Sequence, residues 1–266
     1  MLSDPICLRV KGPFACFTRP EFHVERVSYP VIAPSAARGI LEAILMKPME
    51  KPEAAKRANK IGFRWRILRL GVVREGVLAP ILRNELGYGT HQAYGGARGY
   101  DIMEARAQRH SLILRDVEYL IEAVIEVLGT RHRESRNCTG RRPSKDFLAR
   151  NKYHQMFLRR AAGGQCYYQP FLGCREFSVS EWELVHDVPE VIPDARPERD
   201  FGVVFRDFDF EPVWNHWGHT VRKSRPEVAW SEPDKRPKQL PPLRAVARHG
   251  WITVSELKDG KVEESI

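Results

Sequence analysis

Apolar residues recur with two different periods in the first part of the chain, and each period predicts a different element. Residues 6–10 alternate between apolar and polar positions, as a strand does, and the pattern stops at a Lys-Gly-Pro sequence. After Pro34, apolar side chains recur at helical spacing as far as Ile44 or Met46, which predicts one helix. Residues 61–74 return to period two, with apolar side chains on one face and arginines on the other. The predicted order is strand, helix, strand.

The middle of the chain contains a glycine-rich connection, a second long strand and a second helix. Residues 75–107 lack a regular period, so we predict a loop, and the phosphate-binding motif Gly-x-x-x-x-Gly-Lys-Ser/Thr does not occur in it. Residues 111–127 are apolar and partly β-branched, which predicts a strand, with a helix from about Asp116 as the alternative. The second helix follows Ser144, whose hydroxyl suits an N-cap, and residues 171–185 resume a strand pattern.

These elements together predict a fold. The order strand, helix, strand, strand, helix, strand is that of a split βαβ, ferredoxin-like (RRM-like, βαββαβ) α+β domain. Residues 188–266 differ, because prolines interrupt them and only short strands are predicted, over residues 201–210, 243–248 and 251–254. We therefore predict a ferredoxin-like domain over residues 1–187 and a β-rich C-terminal region after it.

The charge of the chain favours a polyanionic partner. Lys and Arg number 43 against 34 Asp and Glu, which gives a formal net charge of +9. Basic residues also cluster between positions 131 and 145. Nucleic acid is the first candidate for such a partner, and a basic but ordinary enzyme is the alternative.

The cysteines and the apolar runs argue against several other classes of protein. The chain has 5 cysteines and no Cys-x-x-Cys pair, which disfavours a disulfide framework and a tetrahedral zinc site. We therefore expect no metal, no cofactor and a reducing cytoplasmic location. No run approaches the roughly 20 apolar residues of a membrane helix, and no charged-then-apolar leader occurs, so we expect no contact with a membrane.

Candidate chemistry concentrates at the start of the second predicted helix. Lys152, Tyr153 and His154 are neighbours there, and Arg159 and Arg160 follow before a Gly-Gly pair. Arginines can hold a phosphate while basic, phenolic and imidazole groups move protons or stabilise developing charge. This group of residues is therefore suited to chemistry on a phosphate.

A helical projection at about 100° per residue separates these side chains. Lys152 and Arg159 share one side, and Tyr153 with Arg160 lies a quarter turn or more away. The projection places His154 in the middle of the apolar face, with Phe147, Phe157, Leu158 and Ala161. A lone histidine on an apolar face is more often a structural residue than a catalyst.

Residues 14–29 interleave aromatic rings with arginines. Single-stranded nucleic acid is bound by such surfaces, because bases stack on rings and phosphates pair with guanidinium groups. We predict that Arg19, Arg26 and Tyr29 contact RNA. The alternative is a loop whose aromatic side chains belong to the core.

Five blocks of the sequence resemble one protein family. They are ACFTRPEFHVERVSYPVIAPSAARGILEAILMKP, LRNELG, QRHSLILRDVEY, KYHQMFLRRAAGGQCYYQPFLGCREF and PLRAVARHGWITV, and they occur in the family's order. The chain is similar in these blocks to the CRISPR-associated family-five subunit of subtype I-C, the Dvulg type, within the RAMP superfamily. The resemblance implies a ferredoxin-like RNA-binding fold with an added C-terminal β region.

The resemblance also implies an activity and partners. It implies a metal-independent endoribonuclease that cuts CRISPR repeat RNA at the base of a hairpin. The nucleophile is the 2′-hydroxyl of the substrate, the product ends in a cyclic phosphate, and the 5′ handle of the crRNA stays bound in a surveillance complex with other type I-C subunits. The alternatives are a non-catalytic scaffold that binds the handle and contact of the same basic surface with duplex DNA, since phosphate neutralisation does not distinguish RNA from DNA.

The family's site implies roles for few residues of this chain. The family has a tyrosine at the end of its first helix and a Lys-His pair at the start of its second. This chain has Leu45 at the first position and the order Lys152, Tyr153, His154 at the second, so the lysine alone matches. We predict that Lys152 stabilises the phosphorane, that Tyr153 or His154 transfers the proton, and that Tyr29 could supply a second phenol. The predicted RNA contacts are Arg19, Arg26, Tyr29, Arg38, Lys47, Arg64, Arg66, Arg141, Arg142, Arg159 and Arg160.

Overall fold

The computed structural model contains a mostly antiparallel sheet with helices packed against one of its faces. This is an α+β arrangement compatible with a RAMP-like fold, so the predicted class is confirmed at that level. The structure describes residues 2–22, 24–46, 62–86, 106–128, 148–186, 197–209, 238–258 and 261–264.

Strand β4 (Arg106–Leu128) is the central strand of the sheet. Its second half lies between β1 (Ile6–Ala15) and β2 (Gly62–Arg74), and its first half pairs with β3 (Val77–Leu86). All of these pairings are antiparallel. Strands β2 and β3 follow each other along the same side of β4, so together they form one long ribbon with it.

The remaining strands extend the sheet at both edges. Strand β5 (Glu181–Val185) pairs with β1. Beyond β2 come β10 (Trp251–Thr253), β9 (Leu243–Arg248) and β6 (Glu198–Val204), so the order is β5-β1-β4-β2-β10-β9-β6. Strands from the C-terminal region therefore continue the main sheet. Two short ribbons pair β7 with β8 and β11 with β12, over Phe208–Asp209, Lys238–Gln239, Ser255–Lys258 and Lys261–Glu264.

Helices α1 (Pro34–Ile44) and α2 (His154–Ala162) cover one face of the sheet. Every second residue of β4 points into this core, as strand geometry requires, and the buried ones are Val117, Tyr119, Ile121, Ala123, Ile125 and Val127. The apolar residues at helical spacing, Ile40, Leu41, Ile44 and Leu45, are all buried, and Leu45 lies just after the last residue of α1. Each large apolar side chain buried here contributes roughly 1.5–3 kcal/mol, so both helices are anchored on β4 and its neighbours.

The opposite face of the sheet carries a ladder of ion pairs. Glu118, Glu122 and Glu126 repeat at every fourth residue of β4 and so share this face. Arg64 and Arg66 of β2 both contact Glu126, at 2.6 and 3.0 Å. The other two glutamates are paired in the same way, by Arg69, Arg9 and Arg74.

The arginines of this ladder favour the charged form of the Glu126 carboxylate. Burial alone would raise the pKa of Glu126, but the hydrogen bonds and charges of Arg64 and Arg66 outweigh burial and lower that pKa below its ordinary value. The predicted basic face of β2 therefore exists, but the glutamates of the neighbouring strand β4 neutralise its arginines.

A bulge separates β2 from β3. Gly76 has a φ of 83° and Asp116, opposite it on β4, has a φ of 59°. A Cβ atom on Gly76 would lie 2.6 Å from Cγ1 of Val117 and 2.9 Å from the carbonyl oxygen of Arg115. The position therefore requires glycine, because both the backbone conformation and the space exclude a side chain.

The elements with a clear period are confirmed by the structure. The helix after Pro34, the strand over residues 61–74 and the short strands over residues 243–248 and 251–254 all form, within a residue or two. The strand prediction over residues 111–127 is also correct. The alternative of a helix from Asp116 is wrong, because β4 continues through that position.

Predictions failed where turn residues were taken as boundaries. Strand β1 continues through its Lys-Gly-Pro sequence to Ala15, because Gly12 and Phe14 still pair with β4. Strand β3 lies inside the region predicted as a loop. It forms by pairing with β4, and such pairing need not leave a regular hydrophobic pattern in the sequence. The predicted strand over residues 171–185 is regular only within β5, and the residues before it form turns and an isolated bridge between Phe171 and Ser178.

Gly76→Ala will lower the free energy of unfolding by about 1–3 kcal/mol, because the new Cβ meets Val117 and the backbone at a positive φ. Urea unfolding at neutral pH measures the change. Gly39→Ala is the matched control, because it lies within α1 with no atom within 4 Å of its added Cβ. That variant will be as stable as the parent or gain about 0.5–1 kcal/mol. Equal losses in both variants would contradict this account of the bulge.

Glu126→Gln will destabilise the fold by about 1–3 kcal/mol at pH 7, because it removes the charge that Arg64 and Arg66 share. The folded-state pKa of Glu126 is lowered, so its contribution is complete above the unfolded pKa of about 4.3 and is lost as the pH falls through the folded pKa. The difference between parent and variant will therefore shrink below about pH 4. Urea unfolding at several pH values measures this, with the exposed Glu256→Gln as control; a gap that is constant with pH would refute it.

Candidate functional site

The candidate site lies where a π-helical turn joins α2. Residues Leu148–Tyr153 form this turn, and α2 begins at His154. Tyr153 has helical backbone angles, φ −76° and ψ −39°, so the chain stays helical across the junction. A π turn holds one more residue than an α turn and is often found at functional sites. The predicted second helix therefore exists, but its first described turn has a different geometry from the rest.

Tyr153 occupies the apolar face of this helix. Tyr153, Phe157 and Ala161 are buried and lie four residues apart. The centroid of the Tyr153 ring is 5.1 Å from that of Phe63 on β2. The prediction that His154 lies in the middle of this face is wrong, because packing against β2 selects the stripe that contains Tyr153. Burial raises the pKa of Tyr153, so its phenol keeps its proton at neutral pH.

His154 lies at the margin of the same face and is half-buried. Its Nδ1 atom is buried and has no hydrogen-bond partner within the described part of the chain. Burial lowers the pKa of the imidazole, and the carboxylate of Asp4 opposes that shift only in part. The ring is therefore neutral at pH 7, and a neutral imidazole has a nitrogen lone pair that can accept a proton.

Lys152 and Arg159 are the exposed cations of the helix among the predicted site residues. The Lys152 ammonium lies 5.9 Å from the centroid of the Tyr153 ring. It is a point charge at the surface, directly next to His154 in the chain, and can approach an anion from solvent. Arg159 belongs to the last turn of α2. The helix thus presents exposed cations at both ends, since Arg150 in the same π turn as Lys152 is also exposed.

Arg160 and Leu45 both belong to the junction of α1 with its neighbours. The guanidinium of Arg160 donates through Nη1 to the carbonyl oxygen of Ile44 at 3.2 Å, at the C-terminal end of α1. Leu45 is buried in the core, and its carbonyl oxygen accepts a hydrogen bond from Trp65 Nε1 at 3.0 Å. The position of the family's helix-one tyrosine is therefore occupied by an aliphatic side chain that packs inside the protein.

Two of the predicted RNA-binding arginines form ion pairs within the protein. Arg38 contacts Asp207 through Nε at 2.5 Å and Glu42 through Nη1 at 2.7 Å. Arg26 contacts Glu176 at 3.4 Å. A phosphate would have to compete with these carboxylates for both guanidinium groups.

Arg64 and Arg66 of β2 are also predicted RNA contacts, and both form ion pairs with Glu126. A phosphate would have to compete with that carboxylate for them. Three other predicted RNA contacts, Lys47, Arg141 and Arg142, lie outside the described residues. The RNA contacts of Lys47, Arg141 and Arg142 therefore stay predictions.

The aromatic loop over residues 14–29 divides between core and surface. Phe17 and Tyr29 are buried, whereas Phe14 and Phe22 are exposed by 39% and 41%. The guanidinium of Arg19 lies 5.4 Å from the centroid of the Tyr29 ring. Burial raises the pKa of Tyr29. The alternative that the aromatic side chains belong to the core is thus correct for Phe17 and Tyr29, and the RNA contacts predicted for this loop stay a prediction.

Two tyrosines that the sequence prediction left without a role lie at the far end of the site. The backbone N–H of Tyr167 donates to the carbonyl oxygen of Ala43 in α1 at 2.7 Å, and its ring is 85% exposed. Tyr168 follows it and is 43% exposed. The signal in the sequence was a pair of tyrosines two residues after a Gly-Gly pair.

Side chains that bind metals are dispersed in the part of the chain that the structure describes. In the described ranges, no group of three or more His, Cys, Asp or Glu side chains lies close enough together to hold a metal ion. No described helix is long and apolar enough to cross a membrane.

The chain is similar over most of its length to proteins of one family. The family described as "CRISPR-associated protein (Cas_Cas5)" matches residues 6–255. A "CRISPR pre-crRNA endoribonuclease Cas5d" from Thermus thermophilus is 36% identical over 252 residues, which cover 93% of this chain and 90% of the relative. A protein of the same name from Mannheimia succiniciproducens is 35% identical over 223 residues, which cover 79% of this chain and 87% of the relative.

Solved structures share the fold. One described as "Crystal Structure of CRISPR-associated Protein" has a TM-score of 0.52 and 21% identity, and the match covers 95% of this chain and 92% of that one. A functionally uncharacterized protein from Streptococcus mutans has the same TM-score and identity, with coverage of 95% and 93%. At this identity the likeness concerns the fold alone. The family match and the two close relatives show that this chain belongs to the CRISPR-associated Cas5 family, subtype I-C.

Proposed function

We propose that this chain is a metal-independent endoribonuclease that cuts CRISPR repeat RNA at the base of a hairpin. The two relatives that cover most of the chain are named as pre-crRNA endoribonucleases. The structural observation that carries the proposal is the exposed Lys152 directly beside the half-buried His154. After the cut, the protein keeps the 5′ handle of the crRNA and assembles with other subunits of a type I-C surveillance complex.

The reaction needs only groups that the RNA and the protein supply. The imidazole of His154 accepts the proton of the 2′-hydroxyl, and the 2′-oxygen attacks the adjacent phosphorus. The bond between phosphorus and the 5′-oxygen breaks, and that oxygen leaves with a proton from the Lys152 ammonium or from water. The products are a 2′,3′-cyclic phosphate and a 5′-hydroxyl. Lys152 stabilises the extra negative charge of the phosphorane between these steps.

His154 suits proton transfer better than Tyr153. The Tyr153 phenol lies in the core against Phe63, and burial raises its pKa, so it releases its proton less readily than an ordinary phenol. His154 is half-buried, and burial lowers its pKa, so it is the stronger candidate for a base at neutral pH. We therefore assign Tyr153 a structural role and His154 the proton transfer.

We also infer that the first part of the chain is a ferredoxin-like domain. The chain order β1, α1, β2, β4, α2, β5 corresponds to strand, helix, strand, strand, helix, strand. The neighbours in the sheet run β5-β1-β4-β2, and β3 is an insertion that pairs with β4. The β-rich region after residue 187 then adds β6, β9 and β10 beyond β2.

A non-catalytic scaffold that binds the crRNA handle is the second candidate function. The observation that favours it is the buried aliphatic side chain of Leu45, where the family's site has a tyrosine. Such a scaffold would bind the repeat RNA tightly and leave it intact. Contact of the same surface with duplex DNA would appear as competition between DNA and repeat RNA at low salt.

Lys152→Ala will slow cleavage of the repeat RNA by about 100-fold or more, because one transition-state charge contact contributes roughly 2.7–4 kcal/mol. Single-turnover cleavage in EDTA measures the rate. Lys258→Ala is the matched control, because its ammonium is exposed on the β11-β12 ribbon, and it will cleave at the parental rate. Equal rates for the parent and Lys152→Ala would contradict the assignment, and tight binding without cleavage by the parent would favour the scaffold.

The cleavage rate will rise with pH through a value below 6.5 and then level off, because His154 must be neutral to accept the proton and burial lowers its pKa. His154→Gln will cut at least about 100-fold more slowly and will lose this rise. Measurement of single-turnover rates between pH 5 and pH 8 checks both expectations. A rise that persists unchanged in His154→Gln would assign the titration to another group.

Tyr153→Phe will keep the cleavage rate within a few-fold of the parent. The substitution retains the ring that packs on Phe63 and removes only the buried phenol. The measurement is the same single-turnover assay, with the free energy of unfolding as the control for folding. A loss comparable to that of His154→Gln, in a variant that is folded, would transfer the proton-transfer role to Tyr153.

A further inference from the structure

We propose that an unpaired base of the repeat RNA stacks on a row of three aromatic side chains at the end of α2. We call this row, Tyr167, Tyr168 and Phe171, the aromatic ledge. The proposal rests on the proposed function, because it names the part of the protein that holds the RNA strand next to the site of cleavage.

The three rings form a continuous row at the surface. Tyr167 is 85% exposed and Tyr168 is 43% exposed. The ring centroids of Tyr167 and Tyr168 are 6.0 Å apart with an interplanar angle of 76°, and those of Tyr168 and Phe171 are 6.4 Å apart with an angle of 31°. Grouped aromatic side chains that remain exposed mark an interaction surface, because a soluble fold otherwise buries them.

The backbone under the ledge is fixed, while Tyr167 and Tyr168 are exposed and Phe171 is half-buried. The chain leaves α2 at Gly163 and turns at Gly164, which has a φ of 65°. The backbone N–H of Tyr167 then donates to the carbonyl oxygen of Ala43 at 2.7 Å, and the side-chain amide of Gln169 donates to that of Val179 at 2.9 Å. A ring on a fixed backbone loses little conformational entropy when it binds a partner.

The charges around the ledge suit the phosphates of a nucleic acid. Arg159 and Arg175 are both exposed, one in the last turn of α2 and one just after the ledge. Burial and the charge of Glu42 raise the pKa of Tyr168, and the charges of Arg38 and Arg175 oppose that shift. Rings flanked by arginines are the arrangement that binds single-stranded nucleic acid, since bases stack and phosphates pair with the cations.

The ledge and Lys152 lie at opposite ends of α2. Arg160, in the last turn of α2, donates to the carbonyl oxygen of Ile44, and the backbone N–H of Tyr167 donates to that of the neighbouring Ala43. Lys152 lies just before the first residue of the same helix. The stacked base is therefore a different nucleotide from the one at the scissile phosphate.

Tyr167→Ala and Tyr167→Phe test the ledge with a repeat RNA that carries a 2′-deoxy sugar at the cut site and so binds without being cut. Tyr167→Ala will weaken binding by about 5- to 100-fold, the range expected for one stacked base. Tyr167→Phe keeps the ring and will bind within about two-fold of the parent. Leu257→Ala, an exposed apolar residue of the β11-β12 ribbon, is the control for loss of surface area and will bind normally.

A 2-aminopurine scan of the same RNA locates the base. Fluorescence will be quenched on binding to the parent when the probe replaces the stacked base, at one unpaired position away from the cut, and the quenching will be lost in Tyr167→Ala. Parental affinity of Tyr167→Ala, or an equal loss of affinity for a fully paired RNA duplex, would overturn the ledge. If the parent cuts repeat RNA while Tyr167→Ala binds it normally, the ledge alone is refuted. A parent that neither binds nor cuts repeat RNA would refute the proposed function itself.

Discussion

The fold depends on β4, because the two faces of this strand pack in different environments. One face contributes alternate apolar residues such as Tyr119 and Ile121 to the core under the helices, whereas the other carries glutamates that are partly or fully buried. A buried carboxylate is costly unless a cation is hydrogen-bonded to it. Arginines from β1 and β2 supply those cations. The two strands that flank β4 therefore also neutralise its glutamates. Without these pairs, the central strand could not be covered by a strand on each side.

This constraint changes the meaning of the positive net charge. Arginines such as Arg64, Arg66 and Arg69 contribute to the +9 of the sequence, but they are held by the glutamates of β4. The cations left exposed on the second helix lie at its two ends, with Arg150 and Lys152 at the start and Arg159 in the last turn. An RNA strand that follows α2 would meet the proposed proton-transfer site at one end and exposed tyrosines at the other.

The sequence predicted the elements whose patterns are local. Helix α1 and strand β2 each have a clear period, and the resemblance to one family located the helix that carries Lys152. The other features depend on contacts between distant parts of the chain. Strand β3 forms because it pairs with β4 through hydrogen bonds. A projection of one helix could not reveal that Phe63 of β2 packs on Tyr153. The roles of Tyr153 and His154 were left open for the same reason. Tyr153 and His154 are neighbours in the chain but differ in burial, because Tyr153 packs against Phe63 of β2.

The central claim is that the RNA's own 2′-hydroxyl is the nucleophile and that the protein supplies the remaining groups. The most direct test is the chemistry of the product ends after incubation of the purified protein with its repeat RNA in EDTA. Mass spectrometry will find a 2′,3′-cyclic phosphate on one fragment and a 5′-hydroxyl on the other, and a single 2′-deoxy substitution at the cut site will abolish both. Fragments with a 3′-hydroxyl and a 5′-phosphate, or cleavage of the 2′-deoxy substrate, would contradict the account.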